Sequence, residues 1–304
     1  MHDLMIIGAG PAGLCASIYA ARKQLKTVLI SGDIGGQMNN TLGIENWLGY
    51  QFINAPDLIS RFQEHVSQFP IDQKIGNKVT QVKHVTGGFE AATEAGDLYQ
   101  AKTAILAMGK KPRKLNVPGE VELTGRGVTY CAICDGPVFT GQRVAVIGGG
   151  NSAVEAVLDM LKIAEHVDLV SLKPLIADPV LVKQLTGAKK LDSFIEHQTV
   201  RVEGQDLVSG IVIKDLNKSE GKRLDVTGVF IEIGLVPNSN AVKGLVPLNK
   251  LGEVPISCSC ETTVPGLYAA GDVTDVAEKQ IIIAAGEGAK AALQAHRYLQ
   301  RLAD

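Results

Sequence analysis

Three observations predict an α/β chain of two doubly wound domains, the second inserted into the first. A strand, glycine turn, helix and strand open the chain; the same unit recurs 140 residues later; and a short strand with a helical stretch is left over at the C-terminus. The first copy reads Leu4-Met5-Ile6-Ile7 as strand, Ala12 to Lys23 as helix and Thr27-Val28-Leu29-Ile30 as the next strand. The second reads Arg143-Val144-Ala145-Val146-Ile147, then Ser152 to Ile163, then Val167-Asp168-Leu169-Val170. Two such βαβ units imply two parallel sheets covered by helices. Between them run strand-like segments at Gly76 to Val85 and Gly88 to Thr93, and a buried strand at Thr103 to Ala107. Lys110 to Arg113 and Asn116 to Glu120, polar and broken by prolines, read as a linker, and Gly234 to Asn238 reads as a second hinge. The closing stretch Gly266 to Asp272, a short strand ending in a turn, and the helix-periodic stretch from about Gln280 to Leu302 are too short to fold alone, so they complete the first domain. The expected domains are therefore 1–113 with 238–304, and 114–237.

Length and composition agree. At ~150 residues per domain, 304 residues make two domains. Apolar residues are 45% and charged residues 20%, an ordinary globular balance. Thirty cationic and 32 acidic side chains leave a net charge of -2, without the cationic excess that nucleic acid or an anionic membrane surface requires. No window is apolar enough for a membrane span. The chain opens Met1-His2-Asp3 and enters a strand at once, with no basic leader, apolar core or cleavage site. Five cysteines, an odd number, argue against a disulfide framework and for a reducing cytoplasm, where a disulfide is more often catalytic than structural.

Gly8-Ala9-Gly10-Pro11-Ala12-Gly13 follows a strand and opens a helix, which is the context of a Rossmann-like dinucleotide fingerprint. The first glycine permits the tight turn, the second lets backbone approach a pyrophosphate, and the third lets helix and strand pack closely. The helix N-terminus then presents free N–H groups to the anion. Gly148-Gly149-Gly150-Asn151-Ser152-Ala153 repeats the pattern with alanine in the last place. Either turn alone is also compatible with a glycine-rich bend without ligand; two in one chain point to two dinucleotides.

Cys131-Ala132-Ile133-Cys134 brings two sulfurs into disulfide range, and a helix N-terminus there lowers a thiolate pKa. A structural zinc needs two more ligands, and Cys258-Ser259-Cys260 and unpaired histidines supply no matching spacing, so no metal is expected. A redox pair is favoured over zinc and over an inert buried pair. Cys15 reads as a core residue, Cys258 and Cys260 as part of a surface strand, His65 and His166 as solvated helical residues, and Trp47 and Phe52 as packing residues.

Taken together, the two fingerprints flanking Cys131-Ala132-Ile133-Cys134-Asp135-Gly136 resemble the low-molecular-weight thioredoxin reductase family. So do Gly35-Gly36-Gln37, Glu45-Asn46-Trp47, Asn116-Val117-Pro118-Gly119-Glu120 and Ala269-Ala270-Gly271-Asp272. Gly127 to Ala153 and Lys279 to Lys290 are similar to one relative, the flavoprotein subunit of alkyl hydroperoxide reductase. That relative carries an additional N-terminal thioredoxin-like module, which is not expected here.

The resemblance implies FAD in the first domain and a nicotinamide cofactor in the inserted one. Gly8, Gly10, Pro11, Ala12 and Gly13 then hold the FAD pyrophosphate, with Ser31 near the adenosine ribose. Gly35, Gly36, Gln37, Asn46 and Gly109 line the flavin, while Gly271 and Asp272 serve the ribityl chain and Lys279, Gln280 and Ile281 the isoalloxazine edge. Gly148, Gly150, Asn151, Ser152, Ala153 and Lys173 hold the nicotinamide dinucleotide. Electrons pass to the disulfide at Cys134, Cys131 leaves as the attacking thiolate, and Asp135 carries the proton. A homodimer and a thioredoxin- or glutaredoxin-like partner are likewise implied.

The chain also departs from the family pattern. Ser171-Leu172-Lys173 stands where NADPH-using members place a basic cluster. Two missing charge-assisted contacts to a 2′-phosphate cost ~3–6 kcal/mol. NADH is therefore the expected donor over NADPH, with Lys183 on the next helix as the compensating cation in the other case. Met108 replaces a usual threonine, and Ser31 replaces an acid for which Asp33 is the substitute. The alternatives are a reductase for a peroxide-scavenging relay working through a free thioredoxin-like carrier, an enzyme fed by a ferredoxin-type donor, and a flavin-linked redox sensor without turnover. The intact Cys-x-x-Cys-Asp unit favours turnover.

Overall fold

The protein is described by a computed structural model covering residues 1–41, 43–218 and 221–303. It separates into two compact units: Met1–Asn39, Trp47–Lys111 and Val236–Asp304 form unit 1, and Asn40–Asn46 with Pro112–Leu235 form unit 2. Asp304, the last residue of the expected first domain, lies outside the described residues. Lys110–Pro112 and Leu235–Pro237, expected as linker and hinge, are short strands and not irregular segments. Asn40–Asn46 groups with unit 2, a feature of spatial clustering that no local sequence signal announces.

Unit 1 is built on a seven-stranded sheet in the order Asp72–Ile75, Thr27–Ile34, His2–Ala9, Leu98–Leu106, Gly88–Thr93, Val79–Val85, with Leu267–Ala269 also paired to Leu98–Leu106. The strands around His2–Ala9 run parallel, and the Val79–Thr93 hairpin adds antiparallel edges. The parallel strands are covered on both faces, so Leu4, Met5, Ile6, Leu29 and Ile30 read as continuous apolar runs and are fully buried. The predicted Thr103–Ala107 strand is longer, Leu98–Leu106, because its polar first half pairs in the hairpin. The Gly76–Val85 run is shorter, Val79–Val85.

Helix Pro11–Arg22 starts at a proline in its first turn, where the missing N–H has no intrahelical partner anyway. Ala12, Ala16 and Ala20 repeat at four-residue spacing and bury one face against Ala291, Ala292 and Ala295 of the C-terminal helix Ile281–Ala303. Gly288 brings the two helices together: a Cβ there stands 1.9 Å from the Ala12 carbonyl oxygen.

Unit 2 carries a five-stranded parallel sheet in the order Val128–Thr129, Gly228–Ile231, Arg143–Ile147, His166–Ser171, Leu191–Ile195. A three-stranded antiparallel sheet, His197–Gly204, Val208–Asp215 and Gly221–Leu224, covers one side. His166 opens a strand, contrary to the helical expectation, because its apolar followers Val167, Leu169 and Val170 are buried in the sheet. Cys258 and Cys260 lie in a turn and not in a strand; Cys260 adopts φ 63°, which a strand does not permit. Phe52 is 53% exposed and so does not pack as expected, whereas Trp47 meets the ring of Phe62 edge-on at 5.1 Å.

Candidate active site

The two glycine turns are built alike. Gly8 has φ 107° and Gly148 φ 150°, conformations that glycine alone adopts readily, and a Cβ at either lies within 2.3 Å of a carbonyl oxygen, Ala107 or Glu232. Gly10 and Gly150 then cap their helices in nearly the same extended geometry, ψ -175° in both, with no side-chain cap bond. Beyond its own chain neighbours, neither has an atom within 4 Å of its Cβ position. Open space at the N-terminus of a helix with unsatisfied N–H groups is a cradle for a phosphate.

In unit 1 further expected residues gather at the first turn. A Cβ on Gly36 lies 3.5 Å from the Gly10 Cα, and the Gly35 N–H donates to the Ala9 carbonyl at 2.9 Å. Asp33 accepts the Gly36 N–H at 3.2 Å, while buried Ser31 accepts the Ala9 N–H at 3.0 Å, supporting the turn from below. Gln37 Nε2 donates to Asp272, which follows Gly271 at the end of the Leu267–Ala269 strand. Burial pushes the Asp272 carboxyl up, opposed by the charges of Lys279 and Lys110. Lys279 is half-buried, donates to the Thr274 carbonyl at 2.8 Å, and is itself pushed down by burial and by Lys110. Asn238 fixes both Met108 and Gly109 through their carbonyls. Ile281 begins the C-terminal helix, and Asn46 is exposed in the segment that groups with unit 2.

In unit 2 Asn151 and Asp178 exchange hydrogen bonds at 3.0 and 2.8 Å, and Ile176 donates to the Gly149 carbonyl. The loop after the His166–Ser171 strand is thereby pinned beside the second turn. Ser171 is buried and donates to the Lys173 carbonyl, while Leu172, Lys173 and Ile176 are exposed.

Cys131 and Cys134 form a disulfide with Cα atoms 5.3 Å apart. Cys131 caps the short helix Ala132–Asp135, and its Sγ accepts the Cys134 N–H at 3.2 Å. Pro137 ends the regular helix, and Gly136–Phe139 continues as a 3-10 turn anchored by Phe139 against Phe230, their rings 5.3 Å apart. Asp135 receives two hydroxyl donors, one from Thr129 and one from Thr41, while Thr129 also accepts the Cys131 N–H. Burial pushes the Asp135 carboxyl up, and the two hydroxyls pull in the other direction. The turn thus holds a sulfur pair and a carboxyl near a common backbone, the parts needed to break a disulfide and place a proton.

The remaining cysteines are free. Cys15 is half-buried beside Ala289 of the C-terminal helix, Cys258 is exposed, and Cys260 is buried with its thiol pushed up to about 11 by burial and by Glu287. Among the described residues, His166, Asp168 and Asp192 place three ligand atoms within 4.8 Å of one another. Arg143 already engages both oxygens of Asp168 at 2.9 Å.

A family model described as pyridine nucleotide-disulphide oxidoreductase matches residues 2–288. The chain belongs to that family. An alkyl hydroperoxide reductase subunit of Staphylococcus aureus (strain MSSA476) is 42% identical over 301 residues, covering 99% of this chain and 59% of the relative. The chain therefore spans about 59% of the length of the curated relatives it matches. Among solved structures, thioredoxin reductase from Streptococcus pyogenes superposes with a TM-score of 0.94 at 36% identity, covering 99% of each chain. Thioredoxin reductase from Giardia duodenalis gives 0.92 at 30% identity, covering 98% of this chain and 99% of that one.

Membership in the pyridine nucleotide-disulphide oxidoreductases implies a flavin and a pyridine nucleotide, and the open cradles at Gly10 and Gly150 suit two dinucleotides. The fold is that of the thioredoxin reductase structures, with two Rossmann-like domains. No helix of the described residues is long and apolar enough to cross a membrane. Several residues at these sites lie outside the sequence motifs. Glu287, buried in the Ile281–Ala303 helix, accepts the Gly271 N–H at 2.6 Å. Its signal was a lone acid in Ala284-Ala285-Gly286-Glu287-Gly288, among small residues only. Thr41 and Thr129 had no such signal.

Proposed function

We propose that the protein reduces the disulfide of a thioredoxin- or glutaredoxin-like protein with electrons from NADH, using FAD in unit 1 and Cys131–Cys134 in unit 2. The observation that carries this reading is the bonded sulfur pair at a helix cap with Asp135 held beside it by two hydroxyls. A bound flavin supplies the two-electron relay between nicotinamide and disulfide.

The chain's own residues take the following parts. Gly8, Gly10 and Gly13 with Pro11 and Ala12 receive the FAD pyrophosphate at the helix N-terminus. Gln37 and Asp272 orient each other at the ribityl position, and Lys279 to Ile281 with Gly109 border the ring. Gly148, Gly150, Asn151, Ser152 and Ala153 receive the second dinucleotide. Once the pair is reduced, the Cys131 thiolate attacks one sulfur of the partner disulfide, forming a mixed disulfide and releasing the partner's other sulfur. Cys134 then displaces the partner and restores the Cys131–Cys134 bond, while Asp135 takes or gives the proton. NADH is favoured because Lys173 is the one cation between Ser171 and Asp178. The working form is a cytoplasmic homodimer.

Anaerobic titration of the flavin-loaded protein with NADH and NADPH in parallel tests the donor. NADH is expected to bleach the flavin at concentrations at least about a hundredfold below NADPH. Equal bleaching by both overturns the NADH assignment, and bleaching by neither overturns the nicotinamide assignment itself.

A further inference from the structure

We propose that Glu232 is a positioning residue for the sulfur chemistry: its carboxyl, seated on the first turn of the Cys131 helix, decides how readily Cys131 holds a thiolate. The proposal rests on the reading of Cys131–Cys134 as the working redox pair.

Glu232 follows the Gly228–Ile231 strand, and its backbone is locked against the second glycine turn. Its N–H donates to the Ile147 carbonyl at 2.8 Å, and its own carbonyl oxygen is what a Cβ at Gly148 strikes at 2.2 Å. With the backbone held there, the side chain reaches the short helix, where Oε1 accepts the Ala132 N–H at 3.2 Å. Ala132 is bonded directly to Cys131, whose Sγ accepts the Cys134 N–H from the same turn. The donors of one helical turn are therefore divided between a sulfur and a carboxylate.

Burial is the largest influence on Glu232 and pushes its carboxyl up to about 7, with the Ala132 N–H opposing and the charge of Glu155 on the Asn151–Ile163 helix adding to the rise. The other acid of this turn, Asp135, is engaged by Thr129 and Thr41. Near neutral pH, a carboxylate at Glu232 and a thiolate at Cys131 are two negative charges at one helix N-terminus, and each disfavours the other. The coupling is reciprocal: thiolate formation draws a proton onto Glu232, and loss of that proton returns Cys131 toward the thiol. The same residue backs the Gly148 turn, so it joins the proposed nicotinamide site to the sulfur pair through one short side chain and its backbone.

The test uses the full chain with flavin bound, reduced by dithiothreitol and alkylated with iodoacetamide across the neutral pH range. Cys131 is followed by peptide mass spectrometry. In the wild type the Cys131 rate is expected to rise in two steps, one tracking Glu232. Glu232→Gln keeps an acceptor oxygen for Ala132 and removes the charge. It should react about tenfold faster at neutral pH, the effect of a one-unit shift, and rise in a single step. Glu232→Ala removes both charge and acceptor and should also lose the lower step. A Gln profile within twofold of wild type, or a single-step profile in the wild type itself, overturns the proposal. Because dithiothreitol supplies the electrons, these readings do not depend on NADH. Failure of the proposed function shows separately, as a Cys131–Cys134 bond that stays closed when NADH bleaches the flavin.

Discussion

Gln37 and Asp272 stand 235 residues apart in the chain, yet the Gln37 amide donates to the Asp272 carboxylate at 2.5 Å. The bond joins the loop after the second strand to the turn after the last one. Both segments lie against the first glycine turn, a Cβ on Gly36 standing 3.5 Å from the Gly10 Cα and one on Gly271 3.0 Å from the Ala12 Cβ, and the bond fixes an acid that burial pushes toward its neutral form.

Removing that donor tests its role. Gln37→Ala leaves Asp272 with less support, and a lost hydrogen bond to a charged group is worth about 1.5 kcal/mol or more. Flavin release on dilution, followed by absorbance, should show a dissociation constant raised about tenfold. Unchanged flavin retention would separate Gln37 from the cofactor site.

Two glycines of unit 1 separate packing from ligand binding. Gly288→Ala drives a methyl into the Ala12 carbonyl, where backbone has to move, and should lower stability by about 1–3 kcal/mol. Gly10→Ala meets open space at φ -77° and should leave stability within about 0.5 kcal/mol. The same methyl stands in the proposed pyrophosphate cradle, so the purified variant should carry far less flavin. Thermal melts with flavin quantification distinguish the two, and a Gly10→Ala protein that keeps its full flavin contradicts the cradle.

Lys110 and Glu253 are buried together, both side chains 8% exposed. Burial alone raises the Glu253 carboxyl, but hydrogen bonds from Lys110 and Asn249 with the charges of Lys110 and Lys279 overrule it and hold the group below its ordinary 4.5. A depressed folded value stabilises the protein above 4.5, and that contribution is lost as pH falls through the lower folded value. Lys110→Met leaves the buried carboxylate with the Asn249 amide, which donates at 2.6 Å, and Lys279, 3.9 Å away, and should cost about 3 kcal/mol at neutral pH. The deficit should shrink as acid protonates Glu253, which paired denaturation curves at neutral and mildly acid pH will show. A deficit independent of pH would mean that the ion pair is not its source.

Thr129 links the sulfur pair to Asp135. In Thr129→Val the carboxyl loses a donor that lowers its pKa, so it should stay protonated to higher pH. The limb of the turnover profile that reports Asp135 should move upward in pH, measured with a thioredoxin-like acceptor. A profile with an unmoved limb and only a lower plateau would leave Thr129 a purely structural part.

Much of this arrangement was legible in the sequence because its determinants are local. A strand, a glycine turn and a helix with proline at its start sit within some twenty residues, and Gly10 and Gly150 repeat the same geometry from the same spacing. Cys131 and Cys134 are likewise near neighbours whose bonding a short helix allows. What escaped was set by distant partners. Glu287 finds Gly271, Glu232 finds Ala132, and Thr41 finds Asp135 across 94 residues, and no period or motif encodes such meetings. Cys258 to Cys260 reads as a strand because the apolar and small residues near it fit strand and turn alike, and it forms a turn. His166 opens a strand although its sequence reads as helical, because the residue flanking a βαβ crossover belongs equally to helix end or strand start until its pairing is known.

The central claim is that electrons from a nicotinamide reach Cys131–Cys134, and direct mapping of the sulfurs tests it. The flavin-loaded protein is mixed anaerobically with excess NADH, quenched with an alkylating reagent and digested. Cys131 and Cys134 should both carry the label, with Cys260 unlabelled in its buried position. A bleached flavin with the Cys131–Cys134 bond still closed would contradict it.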